Sequence, residues 1–173
     1  MTDEIEIEPY NPNWPNLFQE EKSLLSEILK SDNLLEIRHF GSTSVPGISA
    51  KPIIDIMVIV KSLEVAKAEY LPLMESINYI YWPEDHLADS RMWFVKGMPP
   101  YGKKRTHHVH IVQEDNPDYI KRLKFCEYLR NNKAIADEYA ELKIKLASKH
   151  TNDREAYTDA KADFIIRINN SIT

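Results

Sequence analysis

An α+β domain is predicted from the order in which two periodicities occur along the chain. Strand-like stretches with period-two or continuous apolar character fall mostly in the first two thirds, and helical stripes fill the last third. No internal repeat, low-complexity tract or linker interrupts the 173 residues, so residues 1–173 are read as one domain with a core large enough to need no disulfide.

Glu4 to Glu8 alternates acid and isoleucine and predicts an edge strand with Ile5 and Ile7 on one face. Y-N-P-N-W-P turns the chain into a helix over Pro15–Lys30, whose stripe is Leu17, Phe18, Leu24, Leu25, Ile28 and Leu29. Strands are predicted over Ile37–Phe40 and Ile53–Val60, joined by a loop that holds two of the four glycines, Gly41 and Gly47. Ser62 is a candidate cap for a helix starting at Leu63, with Pro72 expected to kink or end it near Leu71. Tyr79–Trp82 reads as a short extended piece. Arg91–Lys96 and T-H-H-V-H-I-V read as an antiparallel hairpin with a long basic tip. Asn116-Pro117 opens three C-terminal helices, carrying Tyr119 to Leu129, Ile135 to Leu146, and Tyr157 to Ile168.

Composition narrows the function. A net charge of −5 weighs against an extended nucleic-acid surface, although local basic clusters can still hold a nucleotide. Cys126 is the sole cysteine, which excludes an intrachain disulfide or a cysteine-based zinc cage and suits a small apolar filler on a helix. The acidic start lacks the features of a signal peptide, and no apolar run approaches the roughly 20 residues of a membrane span. A cytoplasmic location is expected.

The chemistry points to the Gly41 loop and the strand after it. Gly41 and Ser42, with Thr43, offer backbone N–H groups and hydroxyls suited to phosphate. Asp55 is the one acid on an otherwise apolar strand, a costly placement unless a cation or donors meet it. Strand periodicity puts Asp55, Met57 and Ile59 on one face, and His108, His110 and Val112 on one face of the later strand. An acid with one or two imidazoles suits Mn²⁺ or Zn²⁺, whereas Mg²⁺ prefers oxygen. The plainer readings are a structural carboxylate that accepts main-chain N–H groups and histidines that are satisfied, partly buried side chains. Lys51, Lys96, Lys103, Lys104 and Arg105 are phosphate candidates or solvated charges, and Trp93 and Phe94 suit the core. Glu84, Asp85 and His86 read as a polar loop. Arg154, Tyr157 and Lys161 share one helix face and suit the far side of an anion pocket, or a surface charge cluster over a packed tyrosine.

The pieces Y-N-P-N-W, H-F-G-S-T-S-V-P-G-I-S-A-K-P-I-I-D-I-M-V, R-T-H-H-V-H-I-V, L-K-F-C-E-Y-L-R-N-N, Y-A-E-L-K-I-K-L-A and R-E-A-Y-T-D-A-K-A-D-F-I together resemble the GrpB family of nucleotidyltransferase-like proteins, nearly end to end. The resemblance implies a mixed nucleotidyltransferase-like β-sheet with helices packed on one face, a C-terminal helical flank and a site on the other face. In the wider superfamily a Gly-Ser loop grips phosphate, and a D-x-D pair joined by a third acid holds metals. Gly41, Ser42 and Asp55 match the loop and the first acid. Met57 stands at the second acid's position, where a thioether does not replace a carboxylate for Mg²⁺. Strand order puts His108 or His110 near the third acid's place. Some relatives are fused to dephospho-coenzyme A kinase.

The expected function is therefore a metal-dependent nucleotidyltransferase acting on a nucleotide or related phosphate ester. Asp55, His108 and His110 would carry a divalent Mg, Mn or Zn ion or move protons. Gly41, Ser42, Thr43, Lys51, Arg105 and Lys161 would hold phosphate. A catalytically silent nucleotide-binding module and a metal-dependent hydrolase are the alternatives. Neither a membrane nor an extended nucleic acid is expected as a partner.

Overall fold

The computed structural model describes residues 5–172. Its centre is a five-stranded mixed sheet of order β1-β2-β5-β4-β3, built from Leu34–Phe40, Ile54–Val60, Tyr79–Tyr81, Arg91–Lys96 and His107–Gln113 as β1 to β5. β2 and β5 run parallel and every other neighbouring pair is antiparallel. Branched side chains fill β2, and the strand is buried on both faces except at Asp55, as a central strand requires.

The two faces carry different helices. α1 (Trp14–Ile28) and α2 (Leu63–Ser76) cover the face of Ile54, Ile56, Val58, Val60, Val109 and Ile111, burying Phe18, Leu25, Ala66, Tyr70 and Met74 against it. α3 (Pro117–Asn131), α4 (Lys133–Lys149), α5 (Arg154–Asp159) and α6 (Ala162–Ser171) form the C-terminal flank. That flank packs Phe125, Leu129, Tyr139 and Phe164 against Phe40, Met57, Ile59 and Val112 on the opposite face. The flank thus covers the site face over Phe40, Met57, Ile59 and Val112. No helix among the described residues is long and apolar enough to cross a membrane.

Both expected caps form. Ser62 Oγ accepts from the Val65 amide, and Asn116 accepts from Asp118 and Tyr119. Three expectations need correction. Pro72 does not end the helix: it lies inside α2, which continues to Ser76. The missing amide falls near the helix end, and burial of Tyr70 and Met74 plus the Tyr70–Ser31 hydroxyl bond of 2.7 Å hold that turn. The expected third C-terminal helix is two, α5 and α6, broken at Ala160–Lys161 because Tyr157 packs with Ile5, Leu146 and Ala147 whereas Phe164 stacks on Tyr139. Glu4 lies outside the described residues, and the rest of the expected edge strand makes only a bridge from Glu8 to Ala50. Ile5 donates to the Thr151 carbonyl, so this segment straps the end of α4 and does not extend the sheet.

His39 on β1 shows how the sheet edge is locked. Its Nε2–H donates to Thr43 Oγ1 at 3.0 Å, because the Thr43 hydroxyl proton is given to the Ile53 carbonyl. The ring also stacks on Phe18 at 4.7 Å. Burial pushes the His39 pKa down to about 4, against 6.5 in the unfolded chain. The unfolded state therefore binds the extra proton between those values, and stability is present above pH 6.5 and lost as pH falls towards 4. Urea unfolding midpoints are expected to fall over that window by an amount worth on the order of 2–3 kcal/mol. The His39→Gln variant should lose that dependence, and an unchanged slope would contradict the assignment.

Candidate functional site

The parallel pairing of β2 with β5 sets Asp55 opposite His108 and Met57 opposite His110. The antiparallel pairing of β5 with β4 sets His110 opposite Trp93, and that of β1 with β2 sets Phe40 opposite Asp55. All these side chains project from one face. One ligand atom each from Asp55, His108 and His110 lies within 4.8 Å of the others. His108 Nδ1 is 3.1 Å from Asp55 Oδ1, so an ionised carboxylate accepts the Nδ1 proton and the lone pair is left on Nε2. That Nε2 is buried and has no hydrogen-bond partner. Trp93 stands edge-on to His108 at 5.5 Å.

Gly41 makes room for the acid. Its φ is +70°, and a Cβ placed there would lie 2.3 Å from Asp55 Oδ2. The chain then makes one 3-10 turn, Ser42–Ser44, whose main-chain bonds use the Ser44 and Val45 amides and not those of Ser42 and Thr43. The flank holds this turn from two sides. Arg130 of α3 donates to the Ser44 carbonyl at 3.1 Å and to Ser44 Oγ at 2.9 Å, and that hydroxyl donates to the Gly41 carbonyl. Lys143 of α4 donates to the Ser49 carbonyl at 2.5 Å. The Cys126 thiol, buried as expected, lies 3.8 Å from the Gly41 carbonyl, and burial pushes its pKa up.

The cationic side is built around two tyrosines. Lys51 and Lys161 both stand 4.3 Å from the Tyr157 ring centre. Lys143 is 4.8 Å from the Tyr139 ring and only 2% exposed, and burial followed by repulsion from Lys161 pushes its pKa down to about 7. The Tyr139 hydroxyl, raised by burial, meets the Ser42 side chain. Arg105 lies over Trp82 at 5.4 Å and Trp93 at 5.9 Å.

The sequence expectations are sorted by this geometry. Asp55, His108 and His110 come together, with Gly41 and Ser42 beside the acid. The Thr43 hydroxyl is used by His39 and Ile53, leaving only the Thr43 amide for an anion. Lys96 is removed from the phosphate candidates, since it pairs with Glu21 at 2.8 Å on the α1 face. Lys104 pairs with Glu6 at 2.7 Å. Of Trp93 and Phe94, only Phe94 enters the core. Lys161 sits at the helix break instead of on one continuous face with Tyr157, and the Arg154 side chain lies outside the described residues.

Two groups escaped sequence reading. Arg91 donates through Nη1 to His110 Nδ1 at 3.1 Å, and Asp85 grips the same guanidinium at 2.5 and 2.8 Å; all three are buried. Arg91 pulls the Asp85 carboxyl below the usual range against an opposing burial effect, and burial pushes His110 well down. Lys143 was the other. Its signal was its spacing, one helical turn from Tyr139 and from Ala147 on the buried stripe of α4.

The donor set fits a divalent cation at Asp55 and His108. Asp55 Oδ1 and His108 Nδ1 stand 3.1 Å apart, a separation two ligand atoms can have on one ion once the proton between them is released.

This sheet, its two helical layers and the Gly-Ser turn beside a strand-borne acid define a nucleotidyltransferase-like α+β domain. The structure of Cid1 in complex with its short product ApU has the same fold, with a TM-score of 0.54 and 12% identity over 83% of this chain and 43% of Cid1. A family model described as GrpB protein matches residues 4–171, and the chain belongs to the GrpB family. It is 42% identical over 166 residues to a UPF0157 protein of Pseudomonas aeruginosa, covering 96% of this chain and 66% of that protein. The crystal structure of the conserved protein GrpB from Enterococcus faecalis superposes with a TM-score of 0.85 and 41% identity, covering 96% of each chain. This chain spans 66% and 45% of the length of two curated relatives it matches.

Replacing Gly41 by Ala is expected to cost on the order of 2–3 kcal/mol in urea unfolding, from backbone strain and displacement of Asp55. A loss under about 0.5 kcal/mol, the range of inert surface changes, would show that the close approach is not needed.

Proposed function

We propose that this chain is a metal-dependent enzyme of nucleotidyltransferase type, acting on a nucleoside triphosphate or related phosphate ester. The observation that carries this reading is the convergence of Asp55, His108 and His110 beside the Gly41 turn. Asp55 and His108 Nδ1 would hold the cation, with the Nδ1 proton released or moved to Nε2. When bound, a divalent ion neutralises phosphoryl charge and acidifies a bound water or hydroxyl. The Ser42 and Thr43 amides, which the turn's own main-chain bonds do not use, would be offered to the anion, and Lys51, Lys143, Lys161 and Arg105 would supply positive charge around it. Bound phosphate would raise the Lys143 pKa and keep its ammonium charged, a differential interaction an unloaded site lacks. A solved structure of the same fold, Cid1 with MgGTP bound, agrees at the level of architecture.

A second reading, a binding module without turnover, is favoured by one observation. Met57 is 1% exposed within the apolar cluster of the flank, so no second carboxylate stands two residues from Asp55.

Asp55→Asn keeps the shape beside Gly41 and removes the charge. Calorimetric titration with Mn²⁺ and nucleotide is expected to show affinity lowered at least about tenfold with the melting temperature retained. Unchanged titration would sink the metal reading. Incubation of the wild type with labelled nucleoside triphosphates and Mn²⁺, Mg²⁺ or Zn²⁺ separates the classes. Transfer supports the proposal, release of phosphate indicates a hydrolase, and binding alone indicates the silent module.

A further inference from the structure

His110 stands inside the Asp55–His108 cluster, but its hydrogen bonding is set by a different pair of residues. Arg91 is a donor with no acceptor atom and does not lose its proton in a protein. Its 3.1 Å contact with His110 Nδ1 is therefore a bond in one direction only, guanidinium N–H to imidazole lone pair. Asp85 holds the remaining fork of the guanidinium through two oxygens, and this buried pair keeps Arg91 from turning away. An imidazole that accepts at Nδ1 carries its proton on Nε2. Both ring nitrogens are then spoken for, one by a lone pair already shared and one by a proton. His108 is the opposite case: its Nδ1 donates to Asp55 and its Nε2 lone pair is buried without a partner.

We infer that His110 is not a metal ligand but a neutral imidazole held by Arg91 and Asp85 to donate its Nε2–H to a phosphate oxygen of the substrate. The three-residue cluster divides into two roles. Asp55 and His108 offer a cation the carboxylate and the Nδ1 that now share a proton, and His110 presents a proton to an anion. Arg91 and Asp85 are positioning residues, acting through the ring they orient. A buried neutral donor stabilises developing negative charge without itself having to be ionised. The tautomer assignment rests only on the Arg91 contact; the role of donor to phosphate rests on the function proposed above.

Two-bond proton–nitrogen NMR correlation on the full chain, with uniformly ¹⁵N-labelled histidine, reads each imidazole directly. His110 is expected as the neutral form protonated at Nε2, and His108 as the form protonated at Nδ1. Addition of Zn²⁺ is expected to displace the His108 Nδ1 proton and shift that nitrogen, and to leave the protonation pattern of His110 unchanged. A His110 ring protonated at Nδ1, or one that loses its Nε2 proton when Zn²⁺ is added, overturns the inference. If Zn²⁺ moves neither ring, the metal reading fails while the tautomer assignment stands on the metal-free spectrum. Arg91→Met should abolish the single-tautomer pattern of His110; if it does not, Arg91 is not what sets it. In Mn²⁺ titrations, His110→Gln should stay within about threefold of the wild type and His108→Gln should lose at least about tenfold. Equal losses would return His110 to the ligand set.

Discussion

The candidate site depends on the parallel ladder between β2 and β5. Its register sets Asp55 against His108 and Met57 against His110, which are 53 residues apart in each case along the chain. A one-residue slip of β2 would send the acid, and one of β5 both imidazoles, into the apolar layer under α1 and α2, where an unpaired polar group is costly. The alternation of β2 resists that slip, because Ile54, Ile56, Val58 and Val60 are all buried on the other side. The core that stabilises the sheet also aims the site.

The C-terminal flank does more than cover apolar surface. α3 and α4 reach back to the Gly41 loop through Arg130 and Lys143, and α4 brings Tyr139 to Ser42. Lys143 is an expensive residue to bury, since its ammonium has a carbonyl and an aromatic face but, among the described residues, no paired carboxylate. Retaining a cation there is understandable if an anion arrives beside it. The Glu21–Lys96–Tyr79 cluster on the opposite face is satisfied internally and asks for no ligand.

Much of the fold was legible in the residues. Strand alternation, the Ser62 and Asn116 caps and the basic hairpin tip are local signals, and local signals survive folding. The site was legible in part, because Asp55 was the one charge on an apolar strand and H-x-H the one polar repeat on another. What escaped was decided by tertiary packing. Pro72 is tolerated because Tyr70 and Met74 anchor the turn around it, and α5 separates from α6 because Tyr157 and Phe164 belong to different clusters. Arg91 and Asp85 looked like a strand end and a loop acid. Only the fold shows that a buried guanidinium joins them to His110.

Two lone-pair donors, one from each central parallel strand, are the proposed seat of the cation. The most direct measurement is an anomalous difference map from crystals soaked in Mn²⁺. The account predicts one strong peak between the Asp55 carboxylate and His108 Nδ1, with His110 still bonded to Arg91. A peak elsewhere, or no peak at saturating metal, would contradict it.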